Sequence, residues 1–130
     1  MHLWIRLGGI FGGLSVLLGA FGAHSLEAQL TEKSLATFQT GVLYQFMHSL
    51  ALILVGLLSL HFADEHKKKI ERPGWFFLTG IVLFSGSLYS LALGGPRWLG
   101  PVTPLGGLCF MIGWFMLAFS LPKNRFHSKL

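Results

Sequence analysis

Residues 41–62 read Gly-Val-Leu-Tyr-Gln-Phe-Met-His-Ser-Leu-Ala-Leu-Ile-Leu-Val-Gly-Leu-Leu-Ser-Leu-His-Phe, a stretch without Asp, Glu, Lys or Arg. A helix needs about 20 mainly apolar residues to cross about 30 Å of hydrocarbon. This stretch is long enough, and its interior polar residues are Tyr44, Gln45, His48, Ser49 and Ser59. Three further stretches qualify: residues 4–23, Gly-rich with Arg6 near the start; 74–94, without charge; and 104–121, also uncharged and stopping at Pro122. The reading is an all-α, polytopic membrane protein, a four-transmembrane-helix bundle forming a single membrane domain over residues 1–130.

Composition excludes the other classes. The chain is 52% hydrophobic and 12% charged, with 12 Phe, four Trp and 17 Gly, against about 25% charged residues in an ordinary soluble domain. Its mean hydropathy of +0.62 rules out disorder, which needs low hydrophobicity. The single cysteine, Cys109, rules out a disulfide scaffold. The net charge of +5 does not signal nucleic acid. Lys67, Lys68, Lys69 and Arg72 form one cluster and Lys123, Arg125 and Lys129 another. Both flank apolar runs, where Lys and Arg set topology.

Local punctuation places the helix ends. Thr31-Glu32 reads as a cap with an acidic first turn, so the second helix starts near Thr31. Within residues 24–40, His24 to Leu30 then reads as an amphipathic interfacial linker. Pro73 and Pro104 suit first helical turns, Thr103 can cap the fourth helix, and Gly94-Gly95-Pro96 stops the third. Ala20-Phe21-Gly22 resembles a signal-peptide cleavage site, but the run from Leu7 to Ala23 is long and rich in paired glycines, as a span would be. Arg6, the Asp64–Pro73 loop and the C-terminal tail carry eight Lys/Arg, against Lys33 and Arg97 on the other side. Both termini are therefore expected in the cytoplasm.

No Asp, Glu, Lys or Arg lies within the core of any span, which disfavours a proton-driven exporter with a mid-membrane carboxylate. At about 100° per residue, Thr37, Thr40, Gly41, Tyr44, Gln45 and His48 fall within about 140° of the second helix. The third span adds Ser85, Ser87, Tyr89 and Ser90, and the fourth begins with Thr103, Gly106 and Gly107, all toward the Lys/Arg-poor side. His24 stands at the same end. This cluster is expected to hydrogen-bond between helices. The competing reading is a small ligand pocket using His24, Gln39, Tyr44, Gln45, His48, Ser85, Ser87 and Tyr89. Two histidines fall short of a zinc set and give haem little support. No triad is legible either, so no metal, cofactor or catalytic residue is expected. Gly8/Gly12, Gly9/Gly13 and Ser15/Gly19 on the first span, and Gly86, Ser90 and Gly94 on the third, have the small-xxx-small spacing that lets helices approach. They are expected to pack helices within the bundle or across a homo-oligomer seam.

Leu18-Gly-Ala-Phe-Gly-Ala-His-Ser-Leu26, Phe38-Gln-Thr-Gly-Val-Leu-Tyr-Gln-Phe-Met-His48, Leu83-Phe-Ser-Gly-Ser-Leu-Tyr89 and Thr103-Pro-Leu-Gly-Gly107 through Gly113-Trp114 follow in this order. Together they closely resemble the small integral-membrane family called domain of unknown function 423, whose animal relative is transmembrane protein 256. The resemblance implies four helices in a bacterial plasma membrane and no established activity. The residues it carries over are His24, Gln39, Gly41, Tyr44, Gln45, His48, Ser85, Gly86, Ser87, Tyr89, Pro104 and Gly107. The functional expectation is a non-enzymatic component that packs in the lipid bilayer with itself or with another membrane protein. The alternative is a small permease or channel using the polar cluster, and a third is an accessory binding a quinone, haem or lipid.

The charge split predicts that topology reporters fused at Leu130 and inserted within Glu27–Lys33 read opposite sides of the membrane. Signals from the same side would end the four-span reading.

Overall fold

The computed structural model describes residues 2–121, and within them four helices are long and apolar enough to cross a membrane. Helix α1 covers Leu3–Leu26, α2 Glu32–Leu60 and α3 Asp64–Ala92; α4 covers Val102–Ser120 after a 3-10 turn at Arg97–Leu99. They alternate in direction. One end of the bundle carries Arg6, Lys67, Lys68, Lys69 and Arg72, the other Lys33 and Arg97; Lys123, Arg125 and Lys129 lie outside the described residues.

Helix α1 packs along α2, α2 along α3 and α3 along α4, so α2 and α3 form the middle and α1 and α4 the flanks. Trp4, Ala51, Leu52, Val55, Phe77, Ile81, Phe110 and Leu117 form the main buried cluster. Leu26, Phe38 and Ala92 form a second one at the Lys/Arg-poor end. Large apolar side chains such as Leu17, Phe115 and Phe119 cover the outside, where hydrocarbon rather than water is their solvent.

The helices run beyond the apolar stretches that mark the spans. Residues 24–40 do not form one interfacial segment. His24 falls in a π turn, Gly22–Leu26, that prolongs α1, and α2 has begun by Glu32. Thr31 caps α2: its hydroxyl accepts the Ser34 N–H at 3.1 Å, and Glu32 lies in the first turn.

Three further expectations need correction. The Asp64–Pro73 segment is helix rather than loop. Acidic Asp64 and Glu65 complement the helix dipole at its first turn, and Lys67 pairs with Asp64 at 3.1 Å. Pro73 consequently sits inside α3 and is fully buried; it has no N–H to give the preceding turn, and the helix continues through it. Thr103 does not cap α4, whose N-cap is Pro101 without a side-chain hydrogen bond. The end of α3 follows expectation, with Gly94 in the left-handed region at φ 90°, where glycine carries no steric penalty.

Glycines set the helix spacing, but not all of those singled out. Gly8 lies against α2 so closely that a Cβ would come 2.6 Å from the Ser49 carbonyl oxygen, and Gly12 and Gly19 face Ser49 and Val42. Gly9, Gly13, Gly86 and Gly94 have nothing within 4 Å of such an atom, so they are not contact positions within the bundle. Ser90 is half-buried, and its carbonyl accepts the Gly95 N–H at 2.6 Å. Comparably tight approaches lie elsewhere. Cβ atoms at Gly56, Gly74, Gly106 and Gly113 would come within 2.9 Å of Ile5, Trp4, Phe84 and Phe77 respectively, and Gly80 abuts Phe110 as closely. Each receives a large side chain or a neighbouring backbone that any larger residue would push away.

At Gly106 the crowded atoms include the Phe84 backbone, which has no free rotamer. Gly106→Leu is therefore expected to destabilise the bundle by about 1–3 kcal/mol, and Gly86→Leu by less than about 0.5 kcal/mol. Unfolding in mixed micelles measures both, and equal effects would contradict this register.

Candidate functional site

Polar side chains predicted on one face of α2 meet α1, α3 and α4 in a ladder of hydrogen bonds. Gln45, 3% exposed, occupies its centre. Its amide nitrogen donates to the Phe11 carbonyl of α1 at 2.8 Å. Its carboxamide oxygen accepts the Tyr89 hydroxyl of α3 at 2.5 Å. One side chain thereby joins three helices. The Phe11 carbonyl can take this extra donor because a backbone oxygen has two lone pairs.

His48 lies one turn further along α2 and is also 3% exposed. Its Nδ1 lies 2.7 Å from its own helix's Tyr44 carbonyl, and its Nε2 accepts the Trp114 indole N–H of α4 at 3.1 Å. A carbonyl oxygen only accepts and an indole N–H only donates. These partners therefore define a neutral imidazole with its proton on Nδ1. The ring is stacked on Phe110, with centroids 3.5 Å apart and planes 10° from parallel. Phe77 and Trp114 close the remaining sides.

Toward the Lys/Arg-poor end the ladder continues through hydroxyls. Ser85, at the end of a π turn in α3, donates to the Gly41 carbonyl of α2 at 2.7 Å. Ser87 lies 2.5 Å from Thr103 of α4 and 3.0 Å from its own helix's Phe84 carbonyl. Its single proton satisfies that carbonyl, so Thr103 is the donor between the helices.

The structure thus brings together Gln45, His48, Ser85, Ser87 and Tyr89. Tyr44 joins through its ring, 4.6 Å from that of Phe84. His24 and Gln39 are exposed and take no part. His24 therefore does not form a pair with His48, whose one lone pair is occupied by Trp114. Among the described residues no buried side-chain nitrogen or oxygen lacks a partner. Chemically, the cluster can fasten helices. Sequence reasoning missed Trp114, because a tryptophan in an apolar span reads as a lipid-facing ring. Its signals were its place in the Gly113-Trp114 motif and the need of a buried His48 for a donor.

Residues 18–107 match the family described as Protein of unknown function (DUF423). The chain is similar to a UPF0382 membrane protein of Staphylococcus haemolyticus, 44% identical over 95% of this chain and 98% of the relative. It is similar to the UPF0382 membrane protein YwdK of Bacillus subtilis, 43% identical over the same shares. A UPF0382 membrane protein of Haemophilus influenzae is 38% identical over 94% of this chain and 95% of its own length. This chain is a member of that family of integral membrane proteins, whose biochemical function is not known. No solved structure matches it significantly.

The Gln45–Tyr89 bridge predicts measurable coupling. Gln45→Leu is expected to cost about 1–3 kcal/mol, since it takes the carboxamide partner from the half-buried Tyr89 hydroxyl and the second donor from the Phe11 carbonyl. Together with Tyr89→Phe it should give a double-mutant coupling of about 1 kcal/mol. Additive effects would remove the bridge from the account.

Proposed function

We propose that this protein is a non-enzymatic packing component of the bacterial plasma membrane. It spans the membrane four times with both termini in the cytoplasm and offers α1 to another transmembrane helix, in the first place a second copy of itself. The observation that carries this reading is the two-sidedness of α1. Gly8 and Gly12 are filled by α2, whereas Gly9 and Gly13, one residue along on the outward face, have nothing within 4 Å. Glycines on an outer face let a second backbone approach, and in lipid such close contact is the main source of helix association.

Orientation is supported by the five described Lys/Arg at one end against two at the other. The bacterial relatives named as membrane proteins support the location. A non-enzymatic role agrees with a polar cluster whose buried groups are all engaged with one another. The permease reading draws less support. Beyond His48, toward the basic end, Leu52, Val55, Phe77 and Ile81 fill the space between α2 and α3.

A photo-crosslinking residue at position 13, activated in intact membranes, is expected to give an adduct of twice the chain mass. Gly9→Leu should suppress it while leaving thermal stability unchanged. Adducts to lipid alone would overturn the proposal.

A further inference from the structure

The Lys/Arg-poor end holds a groove beside the hydrogen-bond ladder, touching it only at Thr103. It lies between the first turns of α2, the last turns of α3 and the start of α4, with a volume of about 620 Å³. Lys33, Ser34 and Thr37 line one side, Leu88 and Leu91 another, and Thr103 a third. That volume is within the range of small-molecule sites, about 300–1,000 Å³.

The polar side has spare donors. Among the described residues the Lys33 ammonium has no ion-pair partner, and the Ser34 hydroxyl makes no hydrogen bond, its backbone N–H alone being engaged by Thr31. The Thr31 hydroxyl and carbonyl take the N–H groups of Ser34 and Leu35. Those of Glu32 and Lys33 stay open at the positive end of the α2 dipole. Such a set recognises a phosphate oxygen. The opposite wall asks for hydrocarbon, since Leu88 and Leu91 offer nothing to an inorganic ion. Trp98, 69% exposed, stands two residues from Gly100 on the groove's rim, and exposed tryptophan at a helix end marks the headgroup level of a bilayer.

We infer that this groove binds one phospholipid, with its phosphodiester on Lys33 and Ser34 and the upper part of an acyl chain against Leu88 and Leu91. Two parts of one amphiphile meet two chemically distinct walls, and the site sits at the depth where the two parts of a phospholipid join. Helix α1 contributes nothing to the groove, so the inference stands apart from the packing role proposed for Gly9 and Gly13.

The test is native mass spectrometry of the full chain, delipidated in mild detergent and titrated with dioleoyl phosphatidylglycerol. The wild type is expected to hold one lipid more tightly than the rest. Lys33→Ala should weaken that lipid about tenfold, the effect of losing one charge-assisted hydrogen bond. Leu91→Trp, which fills the apolar wall, should weaken it comparably. Lys69→Ala, a charge change at the opposite end, should leave it unchanged. Helical content by circular dichroism confirms that each variant is folded. Equal loss in Lys69→Ala, or wild-type affinity in both groove variants, would overturn the proposal. Displacement of the lipid by millimolar inorganic phosphate would overturn the assignment of a lipid by identifying a free anion as the occupant.

Discussion

The carboxamide of Gln45 has one donor face and one acceptor face, and the structure uses each on a different helix: Phe11 of α1 on one side, Tyr89 of α3 on the other. The bridge matters because of the solvent. Lipid tails are as apolar as leucine, so no hydrophobic drive gathers helices once they are inserted, and packing and hydrogen bonds must supply it. A glutamine facing hydrocarbon would instead leave its polar groups unsatisfied. The polar face of α2 can therefore lie only toward its neighbours, and this fixes the rotation of α2 about its own axis. The rotation in turn presents Gly41 to Ser85, Ser49 to Gly8 and Gly12, and His48 to Trp114.

Away from such polar pairs, and along most of the contact between α3 and α4 beyond Ser87 and Thr103, shape does the same work. The α3–α4 contact pairs a glycine on one helix with a phenylalanine on the other in both directions: Gly80 with Phe110, Gly106 with Phe84 and Gly113 with Phe77. Trp4 enters a similar notch at Gly74 of α3, and its flank lies against Gly56 of α2. Each ring gains the many small dispersion contacts of a fitted surface, and each glycine makes room that alanine would close. Two flanking helices are thus held to a central pair by different devices. Helix α1 relies on Gly8, Gly12 and a borrowed hydrogen bond, and α4 on interlocking rings together with the Trp114–His48 bond.

The spans were legible because a membrane writes its thickness into sequence as uncharged length. The face of α2 was legible because polar residues at helical spacing have only one direction in which to be satisfied. Thr31 and Gly94 were legible for local reasons: one offers a hydroxyl to a helix start, the other a left-handed φ that other residues rarely adopt. Register was not legible. Gly8/Gly12 and Gly9/Gly13 have the same spacing one residue apart, and composition does not say which pair faces α2. Pro73 misled because its ring fits a first turn so well, yet the charged run before it, opened by two acids, was already helical. Thr103 misled similarly, since a hydroxyl at a helix start caps unless a better partner stands across the gap, as Ser87 does. Trp114 gave no polar signal at all, because its only polar atom is one N–H on a large apolar ring.

His48 marks where the two halves of the bundle change character. From His48 to the Lys/Arg-poor end, the contacts between helices include Trp114, Gln45, Tyr89, Ser85, Ser87 and Thr103, and they close on directional bonds that specify a unique arrangement. From His48 to the basic end, the buried residues described include Leu52, Val55, Phe77, Ile81 and Trp4, and these close on fit. Serines do occur there, but Ser59 and Ser120 turn their hydroxyls back to their own helices, onto Gly56 and Leu117. They neither cost an unsatisfied group nor tie one helix to the next. The stacked imidazole suits the boundary because it belongs to both halves: its edge carries an interhelical hydrogen bond, and its face, flat against Phe110, begins the apolar core.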